Sequence, residues 1–352
     1  MSGTSLDGVD VALCEITATQ CKLLHYEEYP FVSSLKTKIL RIIHSSTTLK
    51  EIGVLNQELG SLFADAVCKF LKSKNITAST IEAIGLHGQT LWHEPHGEFA
   101  FSMQLGCPNS LASKTNIKTV TDFRQMDIAN GGEGAPFAPA FHQFIFASDK
   151  KRAIINIGGM ANITLLGDTL KGWDSGCGNV LLDIWMSKTQ NTPYDKNGRF
   201  SKSGEINQVL LDAMTNDAYF KKEPPKSTGR EYFNEDWLNK HLKALKKQIS
   251  LKDVARTLLE LTALSIANDV KDKNLQELII CGGGSKNTFL MQRLQELSGV
   301  KSISSDTFGL SADALEAMAF SWFAYKRVNQ EPVNLCSVTG AKKASLLGGI
   351  YE

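Results

Sequence analysis

No apolar run in this sequence approaches the roughly 20 residues that cross a bilayer, and the N-terminus is not a secretory signal. Neither a membrane partner nor export is expected. Excess charge of one sign is also missing. Lysines and arginines number 38 against 37 aspartates and glutamates, a formal net charge of +1, which removes the global electrostatic case for nucleic acid. Cysteine is scarce and scattered. Cys14, Cys21, Cys68, Cys107, Cys177, Cys281 and Cys336 never form a CxxC pair. That argues against a zinc site or disulfide scaffold and for reduced thiols in the cytoplasm. The nucleotide motif GxxxxGK[ST] occurs nowhere. What remains is ordinary in bulk. The 352 residues, 42% hydrophobic and 21% charged, fit a globular protein with room for two domains.

The chain is organised around residues 153–179, AIINIGGMANITLLGDTLKGWDSGCGN. Residues 154–157 predict a buried strand. Gly158 and Gly159 break it, and residues 163–166 resume an apolar run. Glycines at such a turn let backbone N–H groups approach an anion with no Cβ in the way. Asn162, just past the turn, adds an amide donor. Asp174 follows in a glycine-flanked loop before the apolar VLLDIWM. Two readings fit these residues. One is a phosphate cradle with a carboxylate shortly after it, as phosphoryl transfer requires. The other is a plain hairpin with Asp174 capping the next helix.

A second glycine turn opens the chain. Gly3, Thr4, Ser5, Asp7 and Gly8 lead into a strand over 9–16. Small donors and a carboxylate beside glycine suit phosphate and Mg²⁺, which favours a few carboxylate and water oxygens. A polar terminal turn is the plainer alternative. One such turn in each half of the chain suggests two similar lobes that share one phosphate chain. Residues 34–44 and 49–72 carry apolar residues at helical spacing, with Leu55, Leu59, Phe63 and Val67 in one row. Residues 81–86 predict a buried strand ending in HGQTLWHEP. His87, Gln89 and His93 then lie just past a strand end, where open α/β sheets bind ligands. A structural His87 fits equally well. A metal held by His87, His93 and His96 lacks a carboxylate at a recognised ligand spacing. Residues 119–142 read as a short strand and then a glycine- and proline-rich loop bearing Asp122, Arg124 and Asp127. A carboxylate can hold sugar hydroxyls and an arginine can fork a carboxylate. A linker between lobes, held by local ion pairs, fits the same residues.

Further on, PPKSTGRE over 224–231 is a conspicuous breaker with charges. Residues 237–249 predict a basic helix with a solvated face, bearing Lys240, Lys243, Lys246 and Lys247. Residues 251–270 predict a long amphipathic helix with Val254, Leu258, Leu261 and Ser265 in one row. A strand over 278–281 leads into Gly282, Gly283, Gly284, Ser285, Lys286 and Asn287, which open another helix. A strand, three glycines and a helix N-terminus make a ready nucleotide site, although the turn is no Rossmann fingerprint. Ser311 reads as the N-cap of SADALEAMAFSWFAYKR, with Glu316 either solvated or facing a cleft.

Taken together, SGTSLDGVD, GLHGQT, TDFRQMDIANGGEGAPFAPAFH, NIGGMANIT, WDSGCGNVLLD, STGREYF and ICGGGSKN resemble, in order, the motifs of the anhydro-N-acetylmuramic acid kinases. The resemblance covers nearly the whole chain. It implies an α/β fold of two RNase H-like lobes, of the actin/hexokinase/heat-shock chaperone ATPase type, around a central cleft. The expected division is 1–125 plus about 335–352 for one lobe and 126–334 for the other. It implies ATP and Mg²⁺, a homodimer in the cytoplasm, and ATP-dependent opening of an anhydro amino sugar with phosphorylation of O6, in murein recycling. By motif, the first phosphate loop falls on Gly3, Thr4, Ser5, Asp7, Gly8 and Asp10, with Asp7 near the metal. The second falls on Gly158, Gly159 and Asn162, and the nucleoside loop on Gly282, Gly283, Gly284 and Asn287. The catalytic aspartate falls on Asp174, and the sugar contacts on His87, Gln89, Arg124 and Glu316.

The sequence departs from the family pattern twice. A short apolar strand such as YIGL usually precedes MSGTS, so either residues lie upstream of Met1 or the first phosphate loop is weakly anchored. WDSGCGN carries Cys177 where proline is usual and Ser175 where threonine is usual, which keeps the hydroxyl and loses the proline constraint. Two other functions fit the fold: a conventional sugar kinase, in which Asp174 deprotonates a hydroxyl, and an actin- or chaperone-like ATPase.

Overall fold

The β-branched runs of the sequence form strands and its helically spaced rows form helices, in two compact units. The computed structural model describes residues 1–352 except Thr4, Ser5, Asp168, Pro225 and Lys246. Unit 1 comprises Met1–Ile145 and Ala314–Glu352, and unit 2 comprises Phe146–Asp313. Unit 1 begins with strands β1 (Gly8–Ile16), β2 (Cys21–Pro30), β3 (Ile84–Gly85), β4 (Gln89–Glu94), β5 (Phe101–Leu105) and β6 (Thr119–Thr121). Unit 2 contributes β7 (Arg152–Ile157), β8 (Ala161–Leu165), β9 (Lys171–Gly176), β10 (Glu277–Cys281) and β11 (Lys301–Ser304). Strand β12 (Gly349–Tyr351) returns to unit 1.

In unit 2 one sheet runs in the order β11-β10-β7-β8-β9. Strands β7, β8 and β9 form an antiparallel meander, while β10 and β11 run parallel to β7. This is the RNase H-like order. Ile154, Ile155, Leu278, Ile279 and Ile280 are fully buried, as strands covered on both faces require. The helix Leu251–Val270 has the predicted bounds. Ser250 caps it by accepting from the Asp253 amide, and Val254, Leu258, Leu261 and Ser265 are all buried. The predicted basic helix is shorter, Glu235–Lys243, and its Lys246 lies outside the described residues.

The described residues of unit 1 form three separate sheets: the antiparallel hairpin β1-β2, the three strands β12-β6-β3, and the hairpin β4-β5. The β3-β6 pair is parallel. The hairpin β1-β2 and the pair β3-β6 therefore repeat the β8-β9 and β10-β11 parts of unit 2, with no strand among the described residues in the position of β7. A cavity of about 620 Å³ lies there, lined by Val11 and Leu13 of β1, Ile84 and Leu86, and Ala317 and Ser321 of the helix Leu315–Val328. Met1 stands at the same edge. Its ammonium donates to the Asp10 carbonyl and its carbonyl accepts from the Asp10 amide, both at 2.8 Å. That is one rung of an antiparallel ladder. Burial pulls this ammonium below its usual range, against the pull of Asp10. The strand predicted over 81–86 shrinks to β3 because only its β6 edge finds a partner.

Helix Leu49–Ser73 starts at a capping box, in which Thr48 and Glu51 satisfy each other's amides. Leu55, Leu59 and Phe63 form its buried row. The division between units falls after 145 and after 313, not after 125 and 334. Residues 123–145 stay with unit 1 because Phe123 and Phe137 pack against Phe323, with ring centroids 6.0 and 5.4 Å apart. Ser311 is not a helix cap. The chain there is tied into a turn by the Ala312 amide, which donates to the Asp306 carboxylate at 3.2 Å, and the helix starts only at Leu315.

Candidate functional site

Three glycine segments of unit 2 converge on the end of β7. The first is the turn between β7 and β8, closed by the Gly158 amide on the Met160 carbonyl at 3.1 Å. The second is Gly178, with φ +39°, where a Cβ would lie 2.6 Å from the Gly158 carbonyl oxygen. The amides of Asn179 and Val180 donate to the Gly158 and Gly159 carbonyls, so the start of helix Val180–Gln190 is pinned to the turn. The third is the predicted nucleoside turn. A Cβ on Gly282 would lie 2.4 Å from Asn156 Oδ1, and one on Gly284 would lie 2.5 Å from Ile157 Cβ. A Cβ on Gly283 meets nothing within 4 Å. Glycine is thus forced by close packing at 178, 282 and 284, and leaves an open surface at 283.

Asp174 lies inside strand β9, not in a loop, directly across from Asn162 on β8. It does not cap the following helix, whose N-cap position is Asn179. The hairpin-with-cap reading of Asp174 therefore falls. Its amide donates to the Lys226 carbonyl at 2.9 Å, its carbonyl accepts from the Tyr219 hydroxyl at 2.8 Å, and its Oδ2 accepts from the Thr228 amide at 3.0 Å. Burial raises its carboxyl above the usual range; the Thr228 N–H pulls it back and the Glu231 charge raises it further. Lys226 is itself anchored, its ammonium 3.2 Å from Asp269, which also accepts from Trp173 Nε1. In the sequence the segment 226–231 reads as a charged breaker and as part of the STGREYF motif; in the structure it supports the aspartate. The hydroxyls of Ser175 and Thr228, beside this aspartate, are buried without a hydrogen-bond partner among the described residues. Cys177 is buried in the core of unit 2, and burial pushes its thiol up to about 12. Asn287 caps helix Thr288–Ser298 through its Oδ1, which accepts from the Leu290 amide at 3.0 Å.

Unit 1 carries all four sugar-side candidates. His87 is buried at the end of β3. Its Nδ1 faces the Gly88 carbonyl at 2.8 Å and its Nε2 faces Arg124 at 2.9 Å. A carbonyl only accepts and a guanidinium only donates, so the proton sits on Nδ1 and Nε2 is bare. Burial first, then the charge of Arg124, hold this imidazole well below its usual range and therefore neutral. Arg124 also donates to the Gly134 carbonyl at 2.6 Å and lies over the Phe137 ring. Burial lowers it to about 10, with Glu316 and Asp127 acting in the other direction. Glu316 keeps open surface although protein crowds it on most sides. That crowding, with the charge of Asp10, raises its carboxyl. Gln89 is buried and accepts from the Ser2 hydroxyl at 2.6 Å. Asp127 is structural: its two oxygens accept from the Gly134 amide and the Thr339 hydroxyl.

In the first glycine turn, Leu6 reaches back to the Gly3 carbonyl and Asp10 accepts from the Tyr26 hydroxyl at 2.6 Å. A Cβ on Gly8 would lie 2.4 Å from the Tyr29 carbonyl oxygen. Thr4 and Ser5 lie outside the described residues. Asp7 is exposed, 3.8 Å from the Lys36 ammonium. Among the described residues no group of three or more His, Cys, Asp or Glu could cage a metal. One open carboxylate nevertheless fits a magnesium ion that takes most of its ligands from phosphate and water. No helix among the described residues is long and apolar enough to cross a membrane.

The family model described as anhydro-N-acetylmuramic acid kinase matches residues 1–352. A curated relative of that name from Sulfurovum sp. is 53% identical over 354 residues, covering all of this chain and 97% of the relative. Another of that name from Sulfurimonas denitrificans is 51% identical over 360 residues, covering all of this chain and 98% of the relative. One from Vibrio vulnificus is 46% identical over 360 residues, with 100% and 97% covered. Among solved structures, the activator of a 2-hydroxyisocaproyl-CoA dehydratase from Clostridium difficile with bound ADPNP is 14% identical. It covers 66% of this chain and 87% of that one, with a TM-score of 0.39.

Proposed function

This chain belongs to the anhydro-N-acetylmuramic acid kinase family, and on that premise we propose how its residues divide the reaction. The activity is ATP-dependent opening of 1,6-anhydro-N-acetylmuramic acid by water, with phosphorylation of O6. The products are N-acetylmuramic acid 6-phosphate and ADP, in murein recycling. Asp174 is the general base. It takes a proton from water as the water oxygen bonds to the anomeric carbon and the bond from that carbon to O6 breaks. O6 then bonds to the γ-phosphorus while the phosphorus–oxygen bond to ADP breaks, so the bridge supplies its own nucleophile. The raised carboxyl of Asp174, held across from Asn162 beside the Gly158-Gly159 turn, is the observation that carries this assignment.

The backbone of the turn at 158–159 serves the phosphates and that at 282–284 the nucleoside. His87, Gln89, Arg124 and Glu316 serve the sugar: neutral His87 accepts from Arg124, which leaves the remaining guanidinium donors for the lactyl carboxylate. Asp7, Asp10 and the amides of Gly3 and Gly8 serve the first phosphate loop. Magnesium, bound through Asp7 and the phosphates, would neutralise charge on the transferred group. A homodimer and a cytoplasmic location are part of the same proposal, and a solution mass near twice 38.6 kDa would support the dimer.

A coupled assay of ADP release tests the assignment. Wild type should need the anhydro sugar, and Asp174→Asn should lose about 10²–10⁴-fold in turnover while keeping ATP affinity. Near-normal turnover in the variant would remove Asp174 as base. ADP release driven by a free sugar would favour a conventional sugar kinase, and release without any sugar an ATPase.

A further inference from the structure

The segment 226–234, which leads from the support of Asp174 into helix Glu235–Lys243, carries one cation that nothing above uses, Arg230. It is fixed on both sides. Upstream, Lys226 and Thr228 bind the backbone and carboxylate of Asp174. Downstream, Phe233 is fully buried and the Tyr232 hydroxyl donates to Asp217 at 2.6 Å. Arg230 lies between these anchors, on an exposed apex. Its guanidinium rests against the glycine turn: a Cβ on Gly159 would lie 3.5 Å from Nη2, 3.8 Å from Nε and 4.0 Å from Cζ. Among the described residues Arg230 makes no hydrogen bond and no ion pair. The nearby acid is Asp183, in the first turn of helix Val180–Gln190. Burial pushes Asp183 up to about 7 and the Arg230 charge pulls it back.

A guanidinium held beside bare glycine backbone, with its forked donors unspent, matches an anion with several oxygens. A Cβ at 159 would meet the guanidinium at ordinary contact distance, so Arg230 is the neighbour that faces this glycine. The segment that carries Arg230 also holds the base, so the anion it meets is the end of the phosphate chain nearest the sugar. We propose that Arg230 grips the terminal phosphate of the bound nucleotide over the Gly158-Gly159 turn and holds it for transfer to O6. This rests on the reading of that turn as the phosphate site.

The test compares ADP with a non-hydrolysable ATP analogue by calorimetry, on the full chain, for wild type, Arg230→Gln and Arg230→Lys. Loss of one charge-assisted fork should weaken the analogue about 10–100-fold in Arg230→Gln and leave ADP within about twofold. Arg230→Lys should recover part of the loss, because it keeps the charge and loses the fork. Turnover should fall with the analogue affinity, while the melting temperature stays at the wild-type value, as an exposed position requires. Equal weakening of ADP and analogue, or unchanged binding of both, overturns the clamp and leaves the turn assignment standing. A wild type that binds neither nucleotide overturns the turn assignment and the clamp with it.

Discussion

Asp174 and Glu231 form a like-charged pair whose balance is open to measurement. A base works only when ionised, and burial with the Glu231 charge keeps Asp174 protonated to higher pH than an ordinary aspartate. The acid limb of turnover should therefore lie above the usual aspartate range. Glu231→Gln removes the repulsion, so the limb should move to lower pH; a limb that stays put would break the coupling. Asp183 makes a different prediction. Its carboxyl titrates at about 7 when folded against 3.8 as a free group, so between these values the folded state binds the extra proton. Its contribution is fully present below about 4 and is lost as pH rises through about 7. Asp183→Asn lacks this dependence. Wild type should lose melting temperature relative to the variant between pH 5 and pH 8, and parallel melting curves would refute the buried titration.

Strands and turns set the next scale. The nucleoside turn offers a matched pair of substitutions. Gly282→Ala forces φ +74° on alanine and drives a Cβ to 2.4 Å from Asn156, whereas Gly283→Ala meets nothing within 4 Å. We expect the first to cost about 1–3 kcal/mol through strain and weaken ATP binding, and the second to melt like wild type. Similar behaviour of both would mean that the turn relaxes freely. The cavity of unit 1 gives a second test. The Met1–Asp10 rung already sets a register along β1, and unit 2 has β7 in the equivalent place. Joining Tyr-Ile-Gly-Leu ahead of Met1 should continue that ladder and move the charged ammonium out of its buried position. Each buried apolar side chain contributes about 1.5–3 kcal/mol, and ordering each residue costs about 1–2. A net gain on the order of 2 kcal/mol would raise the melting temperature by about 4–8 °C. An extension of the same length bearing aspartates should not. If the two melt alike, the cavity does not take a strand.

At the scale of the whole molecule, the proposed roles are divided between the two units. Unit 2 is one continuous stretch with a complete five-stranded sheet and its own core. Residues 146–313 expressed alone should fold and bind ATP more weakly than the full chain, because Arg230 and the proposed turns at 158–159 and 282–284 lie within them while the first phosphate loop lies in unit 1. They should not turn over the anhydro sugar, because His87, Gln89, Arg124 and Glu316 all lie in unit 1. Turnover by the isolated unit would show that those four residues are dispensable. The placement of Glu316 depends on the division after 313, which follows from aromatic packing among residues far apart in the chain.

Local chemistry was enough for much of this protein. The glycine turns, the strands that enter them, the Leu251–Val270 helix with its buried row, and the candidate base are legible because each depends on neighbours within a few residues. The ordered motifs also carried the family. Contacts across long separations were beyond any window of sequence. Asp174 sits in a strand through its pairing with β8 across from Asn162, and its carboxylate is held by the Thr228 amide some fifty residues on. The tautomer of His87 depends on Arg124, and Asp127 is spent on Gly134 and Thr339. The place of Arg230 over Gly159 has no trace in spacing or periodicity. Only tertiary structure decides such roles, because a side chain's charge, tautomer and free donors are set by whatever the fold packs beside it.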